Sequence, residues 1–130
     1  MNDCKILDGK AMAQQVRQQL AAKVAENQTE AFLAVVLVGD DEASKIYDRN
    51  KKKAANESGM GCEILEFSAS IGENALLEVI EGLNADPHVS GILVQLPLPE
   101  HINPLKVLSK INPEKDVDGF SPYNAGLLAC

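Results

Sequence analysis

Ser44, Tyr47 and Lys51 put a hydroxyl, a phenol and an ammonium at short spacing within Ser44-Lys-Ile-Tyr-Asp-Arg-Asn-Lys-Lys-Lys53. In a helix, Tyr47 and Lys51 stand one turn apart on one face, and Ser44 lies three residues before Tyr47 on the same side. Lys53, two residues past Lys51, points elsewhere. Three such groups on one stripe can bind a polar substrate and exchange a proton with it. The same spacing also describes a solvated helix face carrying a run of lysines, the usual fate of a charge cluster. Position in the fold has to decide between the two.

Two further stretches bring polar groups to the ends of apolar runs. Gln95 closes Val89-Ser-Gly-Ile-Leu-Val-Gln-Leu96, which Pro97 and Pro99 stop. It is either an amide satisfied by a loop backbone or a hydrogen-bond partner aimed into a cleft. Asp116-Val-Asp118-Gly-Phe120 reads as a loop, since Asp before Gly is a turn signal. To contribute, it has to fold back over the same edge.

Hydrophobic patterning supplies the elements that would hold these groups. Ala31–Val38 is a continuous apolar run rich in β-branched residues, too uniform for a half-exposed strand, and reads as a strand covered on both faces. Gly39-Asp-Asp-Glu42 turns the chain into the Ser44–Lys53 helix, which ends near Ser58-Gly59. Cys62–Phe67 and Val89–Leu96 are two more strands. Lys5–Leu7 reads as a short strand, and Asp8 as the cap of a helix from Lys10 to Glu26 with Met12, Val16, Leu20 and Val24 on one side. Ser70-x-x-Glu73 has capping-box spacing ahead of a helix with Leu76, Ile80 and Leu83 as its apolar stripe, broken at Asp86-Pro87. Asn103-Pro104 opens a further helix, with Leu105 and Leu108 as its buried side and Asn112-Pro113 as its end. Glu114–Cys130 reads as loop with an apolar end at Ala125–Ala129. Strand and helix alternate, which predicts an α/β fold in three layers, α/β/α, with a mainly parallel sheet in which Ala31–Val38 and Val89–Gln95 are both internal. Ligands of such sheets bind outside the carboxyl ends of the strands, where Gly39–Lys51 and Gln95 both fall.

Composition narrows the partners. With 130 residues, 45% of them hydrophobic, the chain is long enough for one domain with a real core, and at 4% aromatic that core must be aliphatic. A net charge of −7 argues against nucleic acid or a membrane surface and makes Lys51–Lys53 a local basic spot. Cys4, Cys62 and Cys130 are odd in number and widely spaced, so neither a zinc site nor a disulfide framework is indicated. His88 and His101 are too isolated to be ligands, and no metal is expected. The N-terminus has no apolar signal core, and no apolar run approaches the ~20 residues of a membrane span. A cytoplasmic protein is expected. Gly59-Met-Gly61 follows a helix rather than a strand, so it is no dinucleotide fingerprint.

Five segments in order carry a family resemblance. They are Ile6–Lys10, Leu33–Asp40, Ser44-x-x-Tyr47-x-x-x-Lys51-x-Lys53 through Gly59, Gly91–Pro99 and Ile111–Phe120. Over nearly its whole length the chain resembles the bifunctional methylenetetrahydrofolate dehydrogenase/cyclohydrolase family. The resemblance implies oxidation of methylene-tetrahydrofolate with NADP or NAD, then hydrolysis of the methenyl product to formyl-tetrahydrofolate in one cleft. It implies Lys51 as the catalytic lysine, with Gln95 bonded near it as a tuner. Tyr47 would lie along the folate rings, with Ser44, Leu96 and Pro97 in the substrate site. Asp118 would bind the polar edge of the pterin, a natural match of carboxylate to a guanidine-like group. Asp48 departs from the pattern, standing where the family usually has an apolar residue.

Family members continue into a Rossmann-type domain. The expectation is therefore a folate-binding catalytic domain over residues 1–130, with the NAD(P)-binding domain absent. No cofactor binding and no dehydrogenase activity are expected of this chain alone. Full-length members are implied to be homodimers, with a monomer open for this chain. The alternative function is a folate-binding module without turnover.

Overall fold

Burial on both faces makes the run at 32–38 the middle of the sheet. The computed structural model describes residues 6–130, apart from the side chain of Ala43. β1 (Phe32–Val38) lies between β2 (Gly61–Phe67) and β3 (Gly91–Val94), and both neighbours run parallel to it. Val36 stands opposite Leu65 on one side and Val94 on the other. Every residue from Ala34 to Val38 is buried, which needs cover above and below. Ala34, Val36 and Val38 join Leu76 and Ile80 of α3 (Glu73–Ala85) and Val107 of α4 (Pro104–Lys110). Val35 faces the other way and joins Ala55 of α2 (Glu42–Glu57), Cys62 and Leu93. The result is the expected α/β/α arrangement around an aliphatic core.

β3 departs from expectation. It is shorter than the run Val89–Leu96, and in the order β2-β1-β3 it is an edge strand, not an internal one. Among the described residues its outer side meets only a single parallel bridge, Ile92 to Asp116, where Ile92 N donates to Lys115 O at 2.7 Å. Gly91 is what admits that segment. A Cβ at Gly91 would stand 2.5 Å from Cγ1 of Val117, closer than side-chain atoms can come.

The flanking helices bring further corrections. Ile6 and Leu7 form no strand and are exposed, while Lys5 lies outside the described residues. Asp8 caps α1 (Gly9–Asn27) as expected, accepting from Ala11 N at 3.0 Å. Most of the stripe on α1 is not covered, and the neighbour that α1 packs against is α2. Met12, Val16 and Leu20 are exposed, and only Val24 is half-buried. Ser70 does not cap α3. The N-cap is Gly72, with no side-chain bond, and Ser70 pairs with Ser68 instead. Glu73 turns toward α4, accepting from Lys106 Nζ and, at 2.8 Å, from Asn103 N. Those bonds, that of Lys106 foremost, hold its carboxyl below the usual value.

Asn103 Oδ1 caps α4 from Leu105 N and Lys106 N at 3.0 and 3.3 Å, as expected. The buried residue of α4 is Val107, whereas Leu105 is exposed and Leu108 half-buried, and the helix stops at Lys110, before Asn112. The tail is not all loop. Ser121 Oγ accepts from Asn124 N and opens α5 (Pro122–Ala129), the same cap-then-proline signal as at Asn103. Leu127 and Leu128 of α5 are exposed.

Replacement of Val107 by alanine should cost roughly 1.5–3 kcal/mol, the worth of a fully buried valine. Leu105→Ala should stay within about 0.5 kcal/mol, as surface changes do. Urea denaturation of the two variants reads the difference, and equal losses would put Leu105 in the core.

Candidate functional site

The carboxyl end of β1 sets the first group. Gly39 takes φ +95, where side chains are strained, and turns the chain toward α2. Asp41 caps α2, its Oδ2 accepting from Ser44 N at 2.7 Å. The side-chain and backbone hydrogen bonds of Ser44 hold the Asp41 carboxyl below its ordinary value. Ser44 is buried in that cap, about two turns from Lys51. A Lys45–Asp40 ion pair closes the same turn and raises the Lys45 ammonium.

α2 then runs unbroken past the site. Tyr47 is 64% exposed, Asp48 is fully buried and Lys51 is half-buried. Asp48 therefore does not displace the helix but turns under it. Lys52 and Lys53 stay in solvent, Lys53 lying 3.9 Å from Glu57. Lys51 differs from both because it reaches across to the end of β3.

Gln95 N donates to Val36 O at 2.9 Å, which carries the β1–β3 pairing one residue further. Gln95 Oε1 accepts from Lys51 Nζ, and Gln95 Nε2 donates to Leu96 O at 3.0 Å. The Gln95 amide is thus shared between a loop carbonyl and Lys51. Leu96 and Pro97, joined by a cis peptide bond, are exposed beside it.

Asp118 arrives on a loop that two neighbours anchor. Lys115 Nζ donates to three carbonyls at the end of α3, those of Leu83, Asn84 and Asp86, at 3.0, 2.8 and 2.7 Å. Cations suit helix C-termini, where carbonyls lack partners. The Asp116 carboxylate accepts from Gly119 N, Ser121 N and Asn124 Nδ2 at 3.1, 2.9 and 3.0 Å. Burial alone would raise the Asp116 carboxyl, but these bonds hold it below its ordinary value. Asp118 behaves oppositely. Although the residue is exposed at its edge, desolvation of its carboxyl raises it, Asp116 adds to the rise, and the charge of Lys51 only partly offsets them. Lys115 and Asp116 belong to the Ile111–Phe120 segment that was read for Asp118 alone. Their signal was in the sequence, a Lys and an Asp just ahead of the Asp118-Gly119 turn.

Lys51 and Gln95 thus meet at the carboxyl end of β3, near enough to Asp118 for the Lys51 charge to act on its carboxyl, and Tyr47, Leu96 and Pro97 are exposed. Ser44 lies beneath, in the cap. The site is an open shelf. A cavity of about 320 Å³ lined by Thr29, Phe32, Gly61 and His88 lies at the opposite, amino ends of the strands.

The model of the tetrahydrofolate dehydrogenase/cyclohydrolase catalytic domain matches residues 7–118. The chain belongs to that family. It is 49% identical over 128 residues to the bifunctional protein FolD of Streptococcus mutans serotype c, covering 95% of this chain and 45% of that protein. The crystal structure of the bifunctional FolD methylenetetrahydrofolate dehydrogenase/cyclohydrolase from Campylobacter jejuni superposes with a TM-score of 0.91 at 43% identity, over 95% of this chain and 45% of that one. The Trypanosoma brucei FolD, complexed with NADP cofactor and inhibitor, gives 0.90 at 34% identity, over 98% and 45%. This chain therefore spans about half the length of the relatives it matches.

Two outcomes follow from this geometry. A carboxyl raised in the fold binds its proton more tightly folded than unfolded. Asp118 therefore costs stability as pH rises above its ordinary 3.8. Asp118→Asn should raise the melting temperature at pH 7, with a gain that shrinks as pH falls towards that value and is gone below it. Gly91→Ala should push the Lys115–Val117 segment off β3 and lower the melting temperature, without altering any group on the shelf.

Proposed function

We propose that this chain forms the folate-binding and proton-handling part of a methylenetetrahydrofolate dehydrogenase/methenyltetrahydrofolate cyclohydrolase. The observation that carries the reading is the bond from Lys51 Nζ to Gln95 Oε1, which takes one lysine out of a run of three and fixes it at the strand ends. Family membership over residues 7–118 supports it. The ligands are then tetrahydrofolate derivatives, with Asp118 accepting from the polar edge of the pterin and Tyr47 lying along the rings. Leu96 and Pro97 form the floor. Ser44 supports α2 from its cap. A cytoplasmic location goes with this reading, and the free thiols of Cys62 and Cys130 suit it.

Hydrolysis asks little of the protein beyond position. Water adds to the methenyl carbon and loses a proton. The adduct's hydroxyl then gives up its proton as the bond from that carbon to the ring nitrogen opens, and the nitrogen takes one up. Lys51 Nζ is the group placed to carry that proton, and Gln95 holds its orientation.

The family also implies NADP or NAD. The described residues do not fit a dinucleotide. The turn after β1 offers one glycine and two carboxylates, Asp40 and Asp41, where a pyrophosphate needs unobstructed N–H groups and no negative charge. No hydride step is assigned to these residues. A second reading, a folate-binding module without turnover, draws on the openness of the shelf, where Tyr47 is 64% exposed.

Purified protein mixed with methenyl-tetrahydrofolate should show loss of the methenyl absorbance above the buffer rate. In a full-length context Lys51→Ala should abolish hydrolysis and Lys52→Ala should leave it nearly unchanged. Asp118→Ala should weaken folate affinity more than turnover of bound substrate, and Gln95→Ala the reverse. Folate binding with no hydrolysis would favour the binding module, and equal losses at Lys51 and Lys52 would reduce the cluster to general charge.

A further inference from the structure

Asp48 is a carboxylate with no part in the chemistry so far. It is 0% exposed, one turn before Lys51, where the family resemblance calls for an apolar side chain. Its Oδ1 accepts from Lys51 Nζ at 3.3 Å. Its Oδ2 is buried and has no hydrogen-bond partner among the described residues. A buried carboxylate gives up its hydration, a cost that an apolar side chain would not carry. What offsets it here is the ammonium of Lys51.

The same contacts constrain Lys51. An ammonium has three N–H donors and no acceptor. One of them meets Gln95 Oε1 and a second meets Asp48 Oδ1, both acceptors. The third has no hydrogen-bond partner among the described residues. The other ionisable groups near the pair are Lys52 of α2, Cys62 of β2 and Asp118 of the anchored loop. Burial pushes the Cys62 thiol up, Lys52 and Lys51 oppose that and Asp48 adds to it, so Cys62 brings no charge. Asp48 is thus the only one of these groups that is both anionic in type and bonded to Lys51.

We propose that Asp48 is a positioning residue whose buried carboxylate, together with Gln95, fixes the direction in which Lys51 Nζ faces the ligand. For the identity of the ligand this rests on the folate reading above. The state of Lys51 does not, and it can be read directly.

Competitive acylation with acetic anhydride at fixed pH, with Lys51 and its exposed neighbour Lys52 compared by mass spectrometry of the intact chain's digest, measures how much free amine each presents. The wild-type ratio of Lys51 to Lys52 labelling should be low. In Asp48→Asn and Asp48→Val it should rise severalfold, because Lys51 Nζ is no longer held against a buried carboxylate. The asparagine keeps the shape and the valine matches the family's apolar type, so one of the two tests the idea even if the other fails to fold. A ratio unchanged in either folded variant overturns the proposal, whatever turnover does. With methenyl-tetrahydrofolate, Asp48→Asn should lower kcat and leave KM nearly unchanged, and an unchanged kcat also overturns it. Failure of the wild-type protein to bind or hydrolyse folate would sink the functional reading alone, and the labelling ratio would still decide the role of Asp48.

Discussion

The hydrogen bond between Lys51 and Gln95 joins a helix on one face of the sheet to the end of a strand, and the site depends on it. It can form only if α2 starts in the right place and β3 ends in the right place. Gly39 and the Asp41 cap fix the first. The bond from Gln95 N to Val36 O fixes the second, since it holds Gln95 in register with the central strand after β3 has ended. The core clusters on both faces of β1 keep the two ends apart by a constant distance, because close-packed interiors deform little.

The loop carrying Asp118 is positioned by a different kind of force. It has few apolar contacts of its own and is held by charge-assisted hydrogen bonds at Lys115 and Asp116 and by the missing side chain at Gly91. Those anchors leave Asp118 partly desolvated, and the fold bears that cost at the position where a cationic or polar ligand edge would relieve it. A site that destabilises its own empty form is a common trade between stability and function.

Much of this was legible in residue order. The fully apolar run at 32–38, the Gly-Asp-Asp turn and the Asn103-Pro104 start each have one dominant physical meaning, and each appeared as read. Lys51 stood out from Lys52 and Lys53 only through its spacing from Tyr47. Gln95 was legible as a polar group closing an apolar strand. The misses share a cause. Whether Met12, Val16 and Leu20 are covered depends on which element α1 meets, and periodicity does not say. Leu105 lost its inward place to Val107 because a seven-residue helix has too few turns to fix its phase. Ser70 lost its capping role because Glu73 had a better partner in Lys106, far along the chain. The burial of Asp48 could not be read from the pattern, since a carboxylate in a charged helix run reads as solvated.

Lys115 also affects how the molecule opens. Three carbonyls at the end of α3 share its ammonium, and α3 supplies Leu76 and Ile80 to the interior. Such a loop is not a separate foldon that frays while the rest stays closed. Its amide protons should exchange with solvent only in step with those of α3, so that the free energy of exposing the ligand-reading segment approaches that of global unfolding. Any ligand that settles on Asp118 is then linked by mass action to the whole domain's folding equilibrium, and its occupancy is felt in the core as well as at the shelf.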